Sequence, residues 1–303
     1  MANSQQHIKA DLLLVGVTIL AAAGWIFSKE ALTGLPPLLF IGIRFIIAGA
    51  LLAFIGKDQW QHLSPRGLKG SLLVGACFAI AIMAWITGLD HTEHIGEGAF
   101  ITSLGIVLVP LMSLILFKEP QAKSTWFAIP IAISGLFLLT MKENNIAFTI
   151  ESGQGYFLFA SILFALQFTL NNRIVAYVSA ITLTSIQLLI VGVASTLLSI
   201  ATETWPSEVS AVVIGWLLAS AIIATSLRFF VQTYAQSMAP ASHGAMILTI
   251  EPILTASLAA FWFGESMSLI QLLGCGLIFS ALVINRWRIV KRLYKSSCQR
   301  IDI

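Results

Sequence analysis

Long stretches of this chain contain no Asp, Glu, Lys or Arg: 12–28, 70–89, 98–117, 124–141, 152–172, 174–202, 209–227, 229–250 and 266–285. A helix that crosses a bilayer needs about 20 apolar residues, and these runs have that length. They are continuous, unlike the ten-residue alternations of a membrane β-barrel. Charged residues make up 10% of the 303 positions, against roughly 25% in soluble domains. With a mean hydropathy of +0.90, the chain cannot cover a water-soluble surface. One further apolar stretch, 37–56, is broken only by Arg44. The pattern predicts an all-α integral membrane protein with ten transmembrane helices near 11–29, 37–56, 69–89, 92–117, 124–141, 153–173, 180–201, 210–236, 240–263 and 267–286. Cys77, Cys275 and Cys298 are scattered, and imply neither a disulfide framework nor a metal or cofactor site.

Basic residues sort by connection. With a cytoplasmic N-terminus, Lys9, Lys57, Arg66, Lys69, Lys118, Lys123, Arg173, Arg286 and the five basic residues of the 287–303 cytoplasmic tail (Arg288, Lys291, Arg292, Lys295, Arg300) all face inward. Only Lys29 and Lys142 then fall outside, as the positive-inside rule requires. The reading is a multi-pass plasma (inner) membrane protein with both termini cytoplasmic. The basic tail is expected to meet anionic membrane lipid and not nucleic acid. Trp60, Trp126, Trp205, Trp262 and Trp287 stand at span ends, where indoles anchor at the interface.

The halves resemble each other. A shift of 146 residues lays Leu89 on Ala235, Ala99 on Ala245, Glu119 on Glu265 and Ser134 on Ser280. Five spans per half is an odd number, so the second half, 153–286, enters the membrane from the side opposite to the first, 11–141. Such inverted repeats belong to alternating-access carriers, whose site lies near the midplane at the repeat interface.

Several stretches carry a family likeness: Trp25 with Lys29, Arg44-Phe45, Gly98-Ala99-Phe100 with Pro110 and Glu119, Gln232 to Gln236, and Glu251-Pro252 with Gly264-Glu265. On these the chain resembles the EamA-type transporters of the drug/metabolite transporter (DMT) superfamily, from about residue 11 to 286. The resemblance implies two five-helix EamA repeats, with helices one, three, four, six, eight and nine around a central cavity and five and ten peripheral. It implies carriage of amino acids, other metabolites or drugs. Asp90-His91, Glu93-His94, Glu97 and His243 depart from the commoner pattern.

Polar residues inside spans nominate a site. Glu251 falls about 16 Å into helix nine at 1.5 Å per residue, where a charge is costly, so it should face protein or a wet cavity. Pro252 removes an N–H beside it and favours a kink. The pair is a candidate for coupling, by reversible proton binding or cation contact, or else a structural kink. Pro110 in helix four is a further candidate for coupling or gating. Arg228, Gln232 and Gln236 share an i, i+4 face with Tyr234 beside it, a stripe expected to line the cavity. Gln167 and Asn171 form a similar pair on helix six, while Trp25 and Trp85 are cavity walls or packing. Glu97 and His243 are equivalent in the repeat and are expected near opposite faces, lining vestibules or reaching water. Arg44 is read as helix packing or lipid-facing in preference to substrate binding. Asp90, His91, Glu93 and His94 are read as a solvated hairpin in preference to a metal site. Glu119 and Glu265 are read as structural hairpin residues.

No phosphate-binding loop of the GxxxxGK[ST] kind is present, so nucleotide does not drive the protein directly. HExxH and GxSxG are also absent, which disfavours a membrane-embedded enzyme acting on lipid or peptide. A passive channel is the other alternative. The leading reading is a secondary carrier, an exporter or exchanger of a small polar metabolite such as an amino acid, with protons as a possible coupling ion.

Overall fold

Where the charge-free runs lie, the chain is helical. In the computed structural model, which describes residues 2–121, 123–139, 151–229, 231 and 250–285, the elements are α1 (Ala2–Ala31), α2 (Pro37–Ile55), α3 (Pro65–Asp90), α4 (Ile95–Phe117), α5 (Lys123–Leu139), α6 (Ser152–Ile174), α7 (Ala180–Thr202), α8 (Ala211–Ala219), α9 (Glu251–Phe263) and α10 (Leu269–Asn285). Side chains of 2–11, 172 and 285 are excepted. Six helices, α1 to α4, α6 and α7, are long and apolar enough to cross a membrane; α5, α9, α10 and the α8 segment are shorter apolar helices among the described residues. The protein is an all-α, multi-span membrane protein.

Most boundaries follow local chemistry. Ser64 caps α3 by accepting the Gly67 N–H at 3.0 Å, and Pro65 fills the first helical position, where a missing N–H costs nothing. The helix therefore starts at Pro65, four residues before the expected 69. Helix α4 starts at Ile95 instead of 92, because Thr92 turns its hydroxyl onto the His94 N–H. Helix α1 begins at Ala2, well before its apolar run. The largest departure is in the eighth span. Ala211–Ala219 gives way to a π-helix over Ser220–Leu227, where Thr225 and Ser226 donate to the carbonyls of Ser220 and Ala221, five residues back. π-turns are rare and concentrate at functional sites; this one ends at Arg228.

The helices pack in reciprocal pairs. Helix α2 lies on α7 and α5 on α10; α3 and α4 pack on α6, as the α8 segment and α9 pack on α1. Each contact has its mate when the nth helix is exchanged with the (n+5)th. In a bilayer, helices associate by close approach of small residues, and glycines make these crossings. Gly135 and Gly274 oppose each other, a Cβ on either lying 2.8 Å from the other's carbonyl oxygen. Gly135→Ala must push α10 backbone away, because Ile278 N also lies 2.9 Å from that Cβ. Overpacking of this kind costs about 1–3 kcal/mol. The expected result is a thermal midpoint in detergent several degrees lower. Gly276→Ala is the control, since a Cβ there meets nothing within 4 Å, and its midpoint should not fall.

Candidate functional site

Arg228 extends from the end of the π-turn toward Glu251, the first residue of α9, with Arg228 Nη2 at 3.6 Å from Glu251 Oε2. Their side chains are 27% and 24% exposed, so the two charges face each other without being sealed in. Trp25 brings its indole Nε1 to 3.5 Å from Glu251 Oε1, which places α1 at the same point. Arg228 Nε is buried and has no hydrogen-bond partner among the described residues. Pro252 follows directly in the described α9.

Behind this pair stands an aromatic wall. Trp25 and Trp85 meet edge to face with ring centroids 4.8 Å apart, and Phe157 closes on Trp25 at 5.7 Å. All three rings are buried. They come from α1, α3 and α6, two halves of the chain meeting at one cluster.

Arg44 is not lipid-facing. It is 6% exposed, donates from Nε to Thr225 Oγ1 at 2.7 Å and from Nη1 to Ser28 Oγ at 2.8 Å, and lies over the rings of Phe40 and Phe45. The π-turn supplies Thr225, so Arg44 joins α1, α2 and the turn that carries Arg228. The helix-packing alternative is the one realised. Gln167 and Asn171, both half-buried, find their partner on α7. Gln167 Nε2 donates to Gln187 Oε1, and Gln187 Nε2 donates to Asn171 Oδ1, both at 2.8 Å. Gln187 on α7 thus satisfies the pair, and the three amides bond helix to helix.

Glu97 does not reach water from a vestibule. It is 4% exposed, with Gln154 Nε2 at 3.0 Å from one carboxylate oxygen and Gln271 Nε2 on the other. Each glutamine stands in the first turn of its own helix and commits its amide oxygen to that helix's cap. Gln154 Oε1 accepts the Glu151 N–H at 3.2 Å, and Gln271 Oε1 accepts the Ser268 N–H at 2.9 Å. The amide nitrogens are thereby aimed inward at Glu97, which ties α4 to α6 and α10. Pro110 lies inside α4. Gln232, Tyr234, Gln236 and His243 lie outside the described residues. In the α3–α4 connection, His91 faces Asp90 at 3.8 Å and Thr87 O at 2.9 Å, with an exposed side chain. Among the described residues, no three of His, Cys, Asp and Glu gather as a metal set.

Three glutamates at helix ends carry more structure than hydropathy reveals. Glu265, after α9, accepts the Ile95 and Gly96 N–H groups at 2.9 and 3.2 Å. Glu203, after α7, accepts those of Leu38 and Leu39 at 2.8 and 3.0 Å. Each satisfies the orphan donors at the start of a distant helix. Glu119, after α4, pairs instead with Arg173 at the end of α6. Glu203 and the glutamines Gln154, Gln187 and Gln271 were not nominated by the sequence. Glu203 stands just past an apolar run, Gln154 and Gln271 are the third residues of their helices, and Gln187 lies inside its helix with no positional signal.

The profile of the EamA-like transporter family matches the chain twice, over residues 8–141 and 151–287. An uncharacterized transporter of Archaeoglobus fulgidus is 25% identical over 288 residues, covering 95% of this chain and 89% of its own. The uncharacterized inner membrane transporter YedA of Escherichia coli K12 is 27% identical over 262 residues, covering 82% of this chain and 81% of its own. A solved crystal structure superposes with a TM-score of 0.65 at 18% identity, covering 94% of this chain and 98% of that one, a likeness of fold alone. With the family profile spanning both halves of this multi-span helical bundle, the chain belongs to the EamA-like transporter family and is a transporter, not an enzyme.

Proposed function

We propose that this transporter is a secondary carrier that exports or exchanges a small polar metabolite, such as an amino acid, by alternating access. The observation that carries the reading is the Arg228–Glu251 pair, partly exposed and backed by Trp25, where α1 meets α9. Opposite charges 3.6 Å apart offer one partner to a carboxylate and one to an ammonium. The aromatic wall of Trp25, Trp85 and Phe157 suits the apolar part of such a ligand. Reciprocal packing of the nth and (n+5)th helices supports two inverted five-helix repeats, 11–141 and 153–286, and hence ten spans. In this reading Glu251, with Pro252, also handles the coupling proton, while Gln232, Tyr234 and Gln236 extend the Arg228 face.

The direct test is counterflow in proteoliposomes, loaded with a mixture of unlabelled amino acids and challenged with each labelled one. Carrier exchange should accelerate uptake of the transported compound, and Arg228→Met should abolish that acceleration at normal abundance. Uptake indifferent to internal substrate would point to a channel.

Topology is open to a separate test. Both termini, the 57–69 connection and the 118–123 connection belong in the cytoplasm, and 142–152 outside. Cysteines introduced in 142–152 should therefore react with an impermeant thiol reagent added to whole cells. Labelling only after permeabilisation would overturn the orientation and the inversion with it.

A further inference from the structure

Away from the span ends the sequence holds two cations, Arg44 and Arg228, and two carboxylates, Glu97 and Glu251. In the structure they do not pair off. Glu251 meets Arg228. Glu97 is held elsewhere by Gln154 and Gln271, and the ionisable groups that act on it are His94, Glu151 and Glu265. Arg44 is left over. Among the described residues no carboxylate pairs with it, and the one charge that acts on it is Arg228, another cation. Its guanidinium stays protonated in proteins. Both of its hydrogen-bond acceptors are hydroxyls, and these pass their own protons to the carbonyls of Gly24 and Ser220. Neither brings a negative charge. The rings of Phe40 and Phe45 attract the cation at 5.7 and 5.5 Å without neutralising it.

Arg44 stands beside the candidate site. Ser28 follows Trp25 by three residues on α1, and Thr225 precedes Arg228 by three at the end of the π-turn. The hydroxyls that hold Arg44 thus come from the two elements that carry the indole and the cation of the site. Gly24 lets these elements close on one another, since a Cβ there would lie 3.0 Å from the Ala224 Cβ and 3.8 Å from Arg44 Nη2. Buried as it is, Arg44 acts on a ligand through its field, which weakens only slowly with distance where little water intervenes. Two cations, Arg44 and Arg228, against one carboxylate, Glu251, leave one positive charge in excess. A zwitterion leaves that excess in place and a cationic ligand adds to it. A ligand with a single net negative charge cancels it.

We propose that Arg44 sets the charge of the transported compound, and that the site takes an acidic amino acid, a zwitterion with one further carboxylate, in preference to the neutral amide of the same shape. Arg228 receives the α-carboxylate, Glu251 the ammonium, and the further carboxylate lies in the field of Arg44. The inference rests on the reading of Arg228 and Glu251 as the substrate site of a carrier, and assigns its charge selectivity to a third residue.

The test is counterflow in proteoliposomes holding the full-length protein, with labelled compounds taken in pairs that share a shape and differ by one charge: aspartate with asparagine, and glutamate with glutamine. The acid of each pair should exchange about tenfold faster than its amide. Arg44→Gln should bring the two within about twofold by slowing the acid and sparing the amide, and Arg44→Lys, which restores the charge, should restore the preference. Arg228→Met, by contrast, should stop exchange of both members. Where thermal midpoints show that Arg44→Gln has lost its fold, Ser28→Asp takes its place: it sets a carboxylate against Arg44 Nη1 and should remove the preference in the same way. The wild-type comparison needs no variant. Amides exchanged as fast as the acids, or a preference that survives Arg44→Gln or Ser28→Asp, overturns the proposal. So does the absence of acid exchange. Exchange of neutral amino acids alone would leave the carrier reading standing, while no exchange of any amino acid would take that reading down as well.

Discussion

Glu251→Gln is expected to leave folding in place, to retain substrate counterflow at reduced affinity because the ammonium loses its charged partner, and to abolish accumulation driven by a pH gradient. The carboxylate meets Arg228 at 3.6 Å and the Trp25 indole at 3.5 Å, with a quarter of its side chain open, so it can be reached by a proton or by a ligand cation. Gln preserves the shape and the acceptor oxygen toward Trp25 while removing titration. Ala would add a cavity and confound chemistry with packing. The measurement is uptake of the counterflow-positive amino acid into proteoliposomes with and without an imposed pH difference. A glutamate that serves only to hold Arg228 would let the Gln variant accumulate substrate under the gradient, and that outcome at normal abundance would remove proton coupling from this residue.

Glu97→Leu is expected to give the largest loss of stability of any single change at the end of the bundle where Glu265 acts. It strips the acceptors from Gln154 and Gln271 at once. Neither amide can turn its oxygen inward in exchange, because both oxygens hold the caps of α6 and α10. Leaving the buried Gln154 donor unsatisfied costs about 1–3 kcal/mol, the partly exposed Gln271 donor adds less, and the sum is reduced by whatever is regained by no longer burying a carboxylate. Glu97→Gln should fall between Leu and wild type, since its oxygen satisfies one donor while its amino group faces the other. Thermal midpoints and monodisperse yield in detergent provide the check. A water-facing vestibular glutamate would instead tolerate Leu within about 0.5 kcal/mol.

Hydropathy and charge spacing by themselves determined the class, an all-α multi-span membrane protein, while short residue motifs carried the family likeness. The reason is that a bilayer leaves backbone groups no partner except their own helix, so each span follows from its local residues, as α2, α5 and α7 do almost to the residue. The place of Glu251 beside Pro252 and of Glu119 and Glu265 past helix ends was equally legible, because position along the chain suffices to see it. Partners were not. Glu97 looked like a vestibular acid because nothing near it in sequence announces Gln154 and Gln271, 57 and 174 residues away. Gln167 and Asn171 looked like a cavity stripe because Gln187 arrives on another helix. Arg44 was poised between lipid and protein until the π-turn brought Thr225 to it, and that turn itself answers to packing, since its residues spell an ordinary apolar helix. Which polar side chain is spent on holding helices together, and which, like Arg228 and Glu251, stays about a quarter exposed, was decided only when helices from both halves of the chain closed around one another.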